Sequence, residues 1–131
     1  MDYRVTFAAH ADRDLEKIVR FLAQKNPAAA ERLGYALVDD ALSLANMPYR
    51  GLAVQARPGY RRILHRPWFL IFYRIEEARR LVEIARVWDA RQDPDAFHLL
   101  FVARLSETLF LPSLHRLSLL LFSSLKRLTL N

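Results

Sequence analysis

Arginines dominate the part of the sequence that could contact an anionic partner. They fall in one loop and on the strands predicted around it: Arg50, Arg57, Arg61, Arg62, Arg86 and Arg91. A guanidinium group presents a planar fork of donors that can bind phosphate or carboxylate through two bonds. All six are therefore candidates for contacting a target or a partner protein. If the protein is a nuclease, Arg62, Arg86 and Arg91 are the candidates for holding the phosphate.

Arginines can bind the phosphates of a nucleic acid, but the cleavage of RNA needs more than cations. One group must activate the ribose 2′-OH, and another must protonate the leaving oxygen. Asp89 ends the apolar run that contains Arg86, but a carboxylate beside a phosphate adds repulsion. It also cannot act as an acid at neutral pH without a large shift of its pKa. No tyrosine follows Asp89, and the next histidine is His98. The sequence thus supplies cations for a phosphate but a poor set of acid–base groups.

Structural roles compete with these assignments. Arg62 could pair with a carboxylate on a neighbouring strand, although its position beside a basic loop favours a functional role. The aliphatic stem of Arg86 could equally cover apolar surface. His65, inside a predicted strand, and His10, just before a predicted helix, are more typical of structural histidines than of a catalytic base.

The composition limits the class of protein. A chain of 131 residues suits one domain, and the formal net charge of +6 favours an acidic partner or serves solubility alone. There is no cysteine, which excludes disulfides, thiolate zinc sites and a cysteine nucleophile and is consistent with the cytosol. No residues stand at metal-ligand spacing, so we expect no cofactor. No apolar run is long enough to span a membrane. We expect no membrane among the partners of this protein.

Two helices are predicted after a first strand at residues 3–8. In the first helix, Leu15, Ile18, Val19 and Leu22 recur at the spacing of one helical face. Asn26 and Pro27 then form a helix start, because asparagine caps well and proline suits the first helical position. The second helix continues to Pro48. The short break between the helices predicts an antiparallel hairpin.

A basic loop at residues 48–59 leads into three predicted strands at residues 60–65, 68–75 and 81–88. Short turns join them, which is typical of an antiparallel meander. The middle strand, WFLIFY, is apolar on both faces and suits a central position. The predicted fold class is α+β: a strand, a two-helix hairpin and a three-stranded meander.

The last 34 residues differ in composition. Residues 98–131 hold thirteen leucines, five serines and one acidic residue, so we place the domain at residues 1–97 and treat 98–131 as a leucine-rich tail. Three interpretations are open: an added helix that packs on the domain or on a second copy, an amphipathic membrane-surface segment, or non-native coding. The leucine bias favours the third.

Three pieces of the sequence, in this order and spacing, resemble the RelE/ParE superfamily of toxins from type II toxin–antitoxin modules. They are YRVTFAAHADRDLEKIVRFLAQKNPAAAERL, LSLANMPYRGLAV and PGYRRILHRPWFLIFYRIEEARRLVEIARVWDARQDP. The resemblance covers roughly residues 2–95. It implies a small cytosolic bacterial protein whose antiparallel sheet packs on a helical hairpin, held inactive in a hetero-oligomer with a cognate antitoxin that wraps an extended or helical segment around it.

The resemblance also implies one of two targets. RelE-like members cut mRNA in the ribosome, whereas ParE-like members bind DNA gyrase and are not enzymes. Arg62 lies where nuclease members carry an important arginine. Many relatives, however, have a histidine at the position of Asp89, in a pattern like V-x-H-x-x-R-D-P. This departure favours the ParE-like branch. The alternatives are a ribosome-dependent mRNA endonuclease and a non-toxic remnant that still binds antitoxin.

Overall fold

The computed structural model describes residues 3–91. These residues form one five-stranded sheet with a pair of helices on one face. The elements in chain order are β1 (Arg4–Phe7), α1 (Ala9–Ala23), α2 (Pro27–Leu42), β2 (Leu52–Ala53), β3 (Tyr60–His65), β4 (Phe69–Glu76) and β5 (Leu81–Asp89). The strand order is β1-β5-β4-β3-β2. β1 runs parallel to β5, and the other neighbours are antiparallel. The predicted α+β class is confirmed.

The helix hairpin forms where the sequence places it. The side chain of Asn26 accepts a hydrogen bond from the backbone N of Ala29 at 3.1 Å, and Pro27 occupies the start of α2. The cap satisfies one of the backbone donors that every helix leaves open at its N-terminus. After α2 the chain continues through two short 3₁₀ turns, Ser43–Ala45 and Pro48–Arg50.

The main core lies between the helices and the sheet. It joins Leu15 and Leu37 from the helices with Phe7, Ile71 and Ile84 from the strands, and each of these side chains is at most 2% exposed. Within residues 3–91, none of the helices has the length and apolar character needed to cross a membrane.

A second, smaller cluster lies on the opposite face of the sheet. Phe72, Ala85 and Trp88 are buried there, and Val54, Tyr60 and Leu70 pack against them. β4 therefore contributes apolar side chains to both faces, as its continuous apolar sequence predicts. We call this surface the open face, because both helices pack on the other side.

The fold differs from the prediction in one strand. Leu52 and Ala53, inside the predicted loop, pair with Arg62 and Arg61 and form the edge strand β2. The meander of β3, β4 and β5 is thereby extended by a two-residue strand. The leucine-rich tail, residues 98–131, lies outside the described residues, and so does the domain boundary predicted at residue 97.

Candidate partner-binding site

Arg62 is an exposed cation on the open face. Along β3, Ile63 points into the main core, so its neighbours Arg62 and Leu64 point to the other side. Arg62 is exposed, and its side chain makes no hydrogen bond or ion pair with any other residue in the range 3–91. This side chain can therefore bind an external carboxylate or phosphate without first breaking an internal contact.

A groove of about 440 Å³ lies beside Arg62. It is lined by Arg50, Gly51, Leu52, Arg62, Ile63, Leu64 and Leu70. Leu52 and Leu64 are 68% and 54% exposed, which is unusual for leucines that stand close together. The site thus combines apolar contact surface with the exposed guanidinium group of Arg62. The sequence indicated Arg62 but not the leucines, because their place beside Arg62 depends on the unpredicted strand β2.

The other arginines of the loop and strand have structural partners. Arg50 binds Asp40 at 2.9 Å and the hydroxyl of Ser43 at 2.6 Å. Arg61 donates to the carbonyl of Gly51 at 2.7 Å and stacks on Tyr49. Both guanidinium groups hold the loop against the domain. Their contact with a target, like that of the half-buried Arg57, stays a prediction.

Gly51 marks the point where the chain turns away from β3. Its N–H donates to the hydroxyl of Tyr73 at 3.1 Å, and that hydroxyl donates to the carbonyl of Pro48 at 2.6 Å. A Cβ atom at Gly51 would overlap the Tyr73 hydroxyl and would lie 2.7 Å from the carbonyl oxygen of Arg62. Glycine is therefore needed here for close approach, and the buried tyrosine holds the residue that precedes β2.

Arg86 is enclosed rather than exposed. It is 4% exposed and binds Asp14 through Nε at 2.6 Å and Nη2 at 2.9 Å. The same carboxylate accepts the backbone N–H of Val87 at 3.0 Å. Although register places Arg86 in one row with Phe72 and Arg62, its guanidinium group does not extend the surface around Arg62. A role of Arg86 in binding a target stays a prediction.

Arg86 meets Asp14 because β1 ends before β5 does. Its last pair is Phe7 with Ile84, and Ala8 adds one more bond to the carbonyl of Ile84 at 2.8 Å. β5 continues to Asp89, so within residues 3–91 its outer edge has no strand beside it at Val87. Asp14, from α1, takes the place of the missing strand.

Asp89 is held by Arg91 at the end of β5. Two nitrogens of Arg91 reach its carboxylate, at 2.9 and 2.6 Å, and the guanidinium group stacks over Trp68 at 4.0 Å. The hydrogen bonds from Arg91 lower the pKa of Asp89 below its usual range. The carboxylate is thus ionised at neutral pH and cannot donate a proton to a leaving group. Arg91 is exposed, but its charge is already matched.

Other acid–base groups do not complete a nuclease site within residues 3–91. His65 binds Asp40 of α2 at 2.9 Å, on the helix side of the sheet, and His10 is buried on α1. Tyr60 shares the open face with Arg62, but burial raises its pKa, so its hydroxyl is neither a good base nor a good acid. Residues 3–91 also include no group of three or more side chains placed to hold a metal ion.

Residues 5–94 match the family model described as the ParE toxin of the type II toxin–antitoxin system, parDE. The chain belongs to the ParE toxin family. The resemblance to the RelE/ParE superfamily is thereby confirmed, as is the assignment to toxins of type II modules. No curated protein sequence matches the chain.

Solved structures show the same fold as this ParE-family toxin. The toxin–antitoxin complex RelBE2 of Mycobacterium tuberculosis gives 29% identity and a TM-score of 0.53, over 68% of this chain and 92% of that one. The chromosomal ParDE system of P. aeruginosa gives 19% identity and a TM-score of 0.57, over 65% of this chain and 92% of that one. The free E. coli RelE toxin with two arginines replaced by alanine gives 16% identity and a TM-score of 0.55, over 80% of this chain and 99% of that one.

Two further features of the ParE-family domain escaped sequence analysis. Tyr3 and Tyr49 both donate to the same oxygen of Glu77 at 2.5 Å, which ties the loop to the turn before β5. The hydrogen bond to Glu77 raises the pKa of Tyr49 to about 12.

Asp12 is buried, and neither of its oxygens has a hydrogen-bond partner within residues 3–91. Burial raises the pKa of Asp12 to about 7.

Proposed function

We propose that this toxin inhibits bacterial growth by binding DNA gyrase, and that a cognate antitoxin neutralises it in a toxin–antitoxin hetero-oligomer. Both proteins act in the cytoplasm. In this proposal the toxin is a binding protein and not an enzyme. Two similar structures, the RelBE2 toxin–antitoxin complex and the ParDE system, support an antitoxin for this chain as well.

One observation carries the choice of gyrase over mRNA. Arg62 can receive an anionic group, yet within residues 3–91 the groups around it do not form an acid–base pair. Asp89, at the position where many relatives have a histidine, is ionised and held by Arg91. An arginine can bind a phosphate and stabilise its charge, but without a proton donor and acceptor beside it the proton transfers of phosphodiester cleavage are not provided.

The test is a supercoiling assay with purified gyrase and purified toxin. We expect inhibition together with an accumulation of cleaved DNA, and we expect Arg62→Ala to weaken both by about tenfold or more, the loss of one charge-assisted contact. Arg32→Ala is the matched control, since Arg32 is equally an exposed arginine but lies on α2 behind the sheet. Unchanged supercoiling at a large excess of toxin would contradict the proposal.

The alternative is a ribosome-dependent mRNA endonuclease. The position of Arg62, which matches an important arginine of nuclease members, supports it. In a translating extract this alternative predicts cut mRNA with the wild type and intact mRNA with Arg62→Ala. A chain that leaves both gyrase and mRNA untouched but binds the antitoxin would be a non-toxic remnant.

A further inference from the structure

Arg50 is a second arginine at the groove beside Arg62, and it is held by one corner of its guanidinium group. All of its hydrogen bonds within residues 3–91 use one nitrogen, Nη2. That nitrogen donates to Oδ1 of Asp40 at 2.9 Å, to the Asp40 carbonyl at 3.3 Å and to the Ser43 hydroxyl at 2.6 Å. A guanidinium group carries donors on three nitrogens. The edge formed by Nε and Nη1 therefore has no partner in residues 3–91 and can bind an external anion.

Asp40, near the end of α2, is fixed from two sides. Its Oδ1 accepts the hydrogen bond from Arg50, and its Oδ2 lies 2.9 Å from Nδ1 of His65 at the end of β3. The side chains of Asp40 and His65 are both half-buried. The two oxygens of one carboxylate thus connect the loop that carries Arg50 and the strand that carries Arg62 to the same helix.

We propose that Asp40 is a positioning residue for target binding, which holds Arg50 so that Arg50 and Arg62 together contact carboxylates of gyrase. The inference rests on the proposed gyrase function and specifies how the groove recognises its target. Two guanidinium groups beside exposed leucines fit a segment of the target that carries acidic side chains next to apolar ones. Asp40 itself does not touch the target and acts through Arg50.

Preorganisation of the Arg50 side chain is the physical reason for this role. Ordering one long side chain at the moment of binding weakens a complex by about two- to tenfold. In this domain folding has already ordered Arg50. A second effect has the opposite sign, because the charge of Asp40 offsets part of the charge that Arg50 presents. Since the side chains of Arg50 and Asp40 are 33% and 25% exposed, water screens that offset, and we expect the positioning effect to dominate.

The test is a double-mutant cycle in the full chain, read out as affinity for purified gyrase without DNA in titration calorimetry. Asp40→Ala should weaken binding about two- to tenfold. In the Arg50→Ala background the same change should alter the affinity by less than about twofold, because the side chain that Asp40 positions is gone. In the Arg62→Ala background it should again have its full effect. Asp39→Ala is the matched control, since Asp39 is an exposed aspartate on the same helix.

Circular dichroism checks that each variant is folded, and Asp40→Asn replaces Asp40→Ala in the cycle if the alanine variant is not. Equal losses in the wild-type and Arg50→Ala backgrounds would overturn the inference, because Asp40 would then act on the fold as a whole. Tighter binding by Asp40→Ala would overturn it as well, since Asp40 would then only mask the charge of Arg50. Binding that requires added DNA would assign the anions to phosphates and overturn the proposed recognition of carboxylates. These three results leave the gyrase function standing, whereas a wild type that does not bind gyrase in either condition would overturn both.

Discussion

Replacing Asp14 with alanine removes the carboxylate that faces the buried guanidinium group of Arg86. In the wild type this carboxylate accepts two bonds from Arg86, at 2.6 and 2.9 Å, and one from Val87 N at 3.0 Å. Removal of one partner of a buried ion pair typically costs about 3–5 kcal/mol, because the remaining charge stays out of water. Since small domains are stable by about 5–15 kcal/mol, Asp14→Ala should lose a large share of the unfolding free energy.

Urea unfolding followed by tryptophan fluorescence measures this loss. Asp39→Ala is the matched control: Asp39 is an exposed aspartate on α2, and its replacement should change the unfolding free energy by less than about 0.5 kcal/mol. The double variant Asp14→Ala, Arg86→Met should be more stable than Asp14→Ala alone, because it removes the buried charge as well. A loss below about 1 kcal/mol for Asp14→Ala, or a double variant less stable than the single one, would refute the role assigned to this pair.

Two further predictions concern stability. The pKa of Asp12 is about 7 in the folded domain against an ordinary value of 3.8, so the folded state binds the proton more tightly and the unfolding free energy falls as pH rises from about 4 to 7. Asp12→Asn should remove this fall and should raise the unfolding free energy by up to about 4 kcal/mol at pH 8, measured by urea unfolding. Parallel pH profiles of the two proteins would contradict the prediction. Gly51→Ala should cost about 1–3 kcal/mol, because the added methyl group meets the Tyr73 hydroxyl and the carbonyl of Arg62; an unchanged midpoint in thermal unfolding would show that the loop can shift.

The sequence predicted the elements whose signals are local. The strand predicted at residues 60–65 is β3, Tyr60–His65, and the Asn26 cap forms as expected. The alternation along β3 also suffices to place the side chain of Arg62 on the face of the sheet opposite to that of the core residue Ile63. Each of these inferences uses only spacing and residue type within a short window.

The remainder depended on where neighbouring strands end, which no local pattern records. β2 has two residues and therefore no periodicity, and its existence is defined by pairing with Arg61 and Arg62. Arg86 has the sequence context of a surface arginine, but its environment is set by β1 ending opposite Ile84 and by Asp14 reaching across from α1. Such long-range contacts become visible only in the assembled fold.

The sheet contains the same geometric problem twice, with two different solutions. β5 is longer than its edge neighbour β1, and Asp14 closes the gap from inside the domain by accepting the N–H of Val87. β3 is longer than its edge neighbour β2, and within residues 3–91 no side chain closes that gap at Leu64. The domain can therefore satisfy an open strand edge with a single carboxylate, and it does so where the edge is buried. The gap at Leu64 lies instead where the surface is exposed, so that water can satisfy the backbone groups that the edge leaves open.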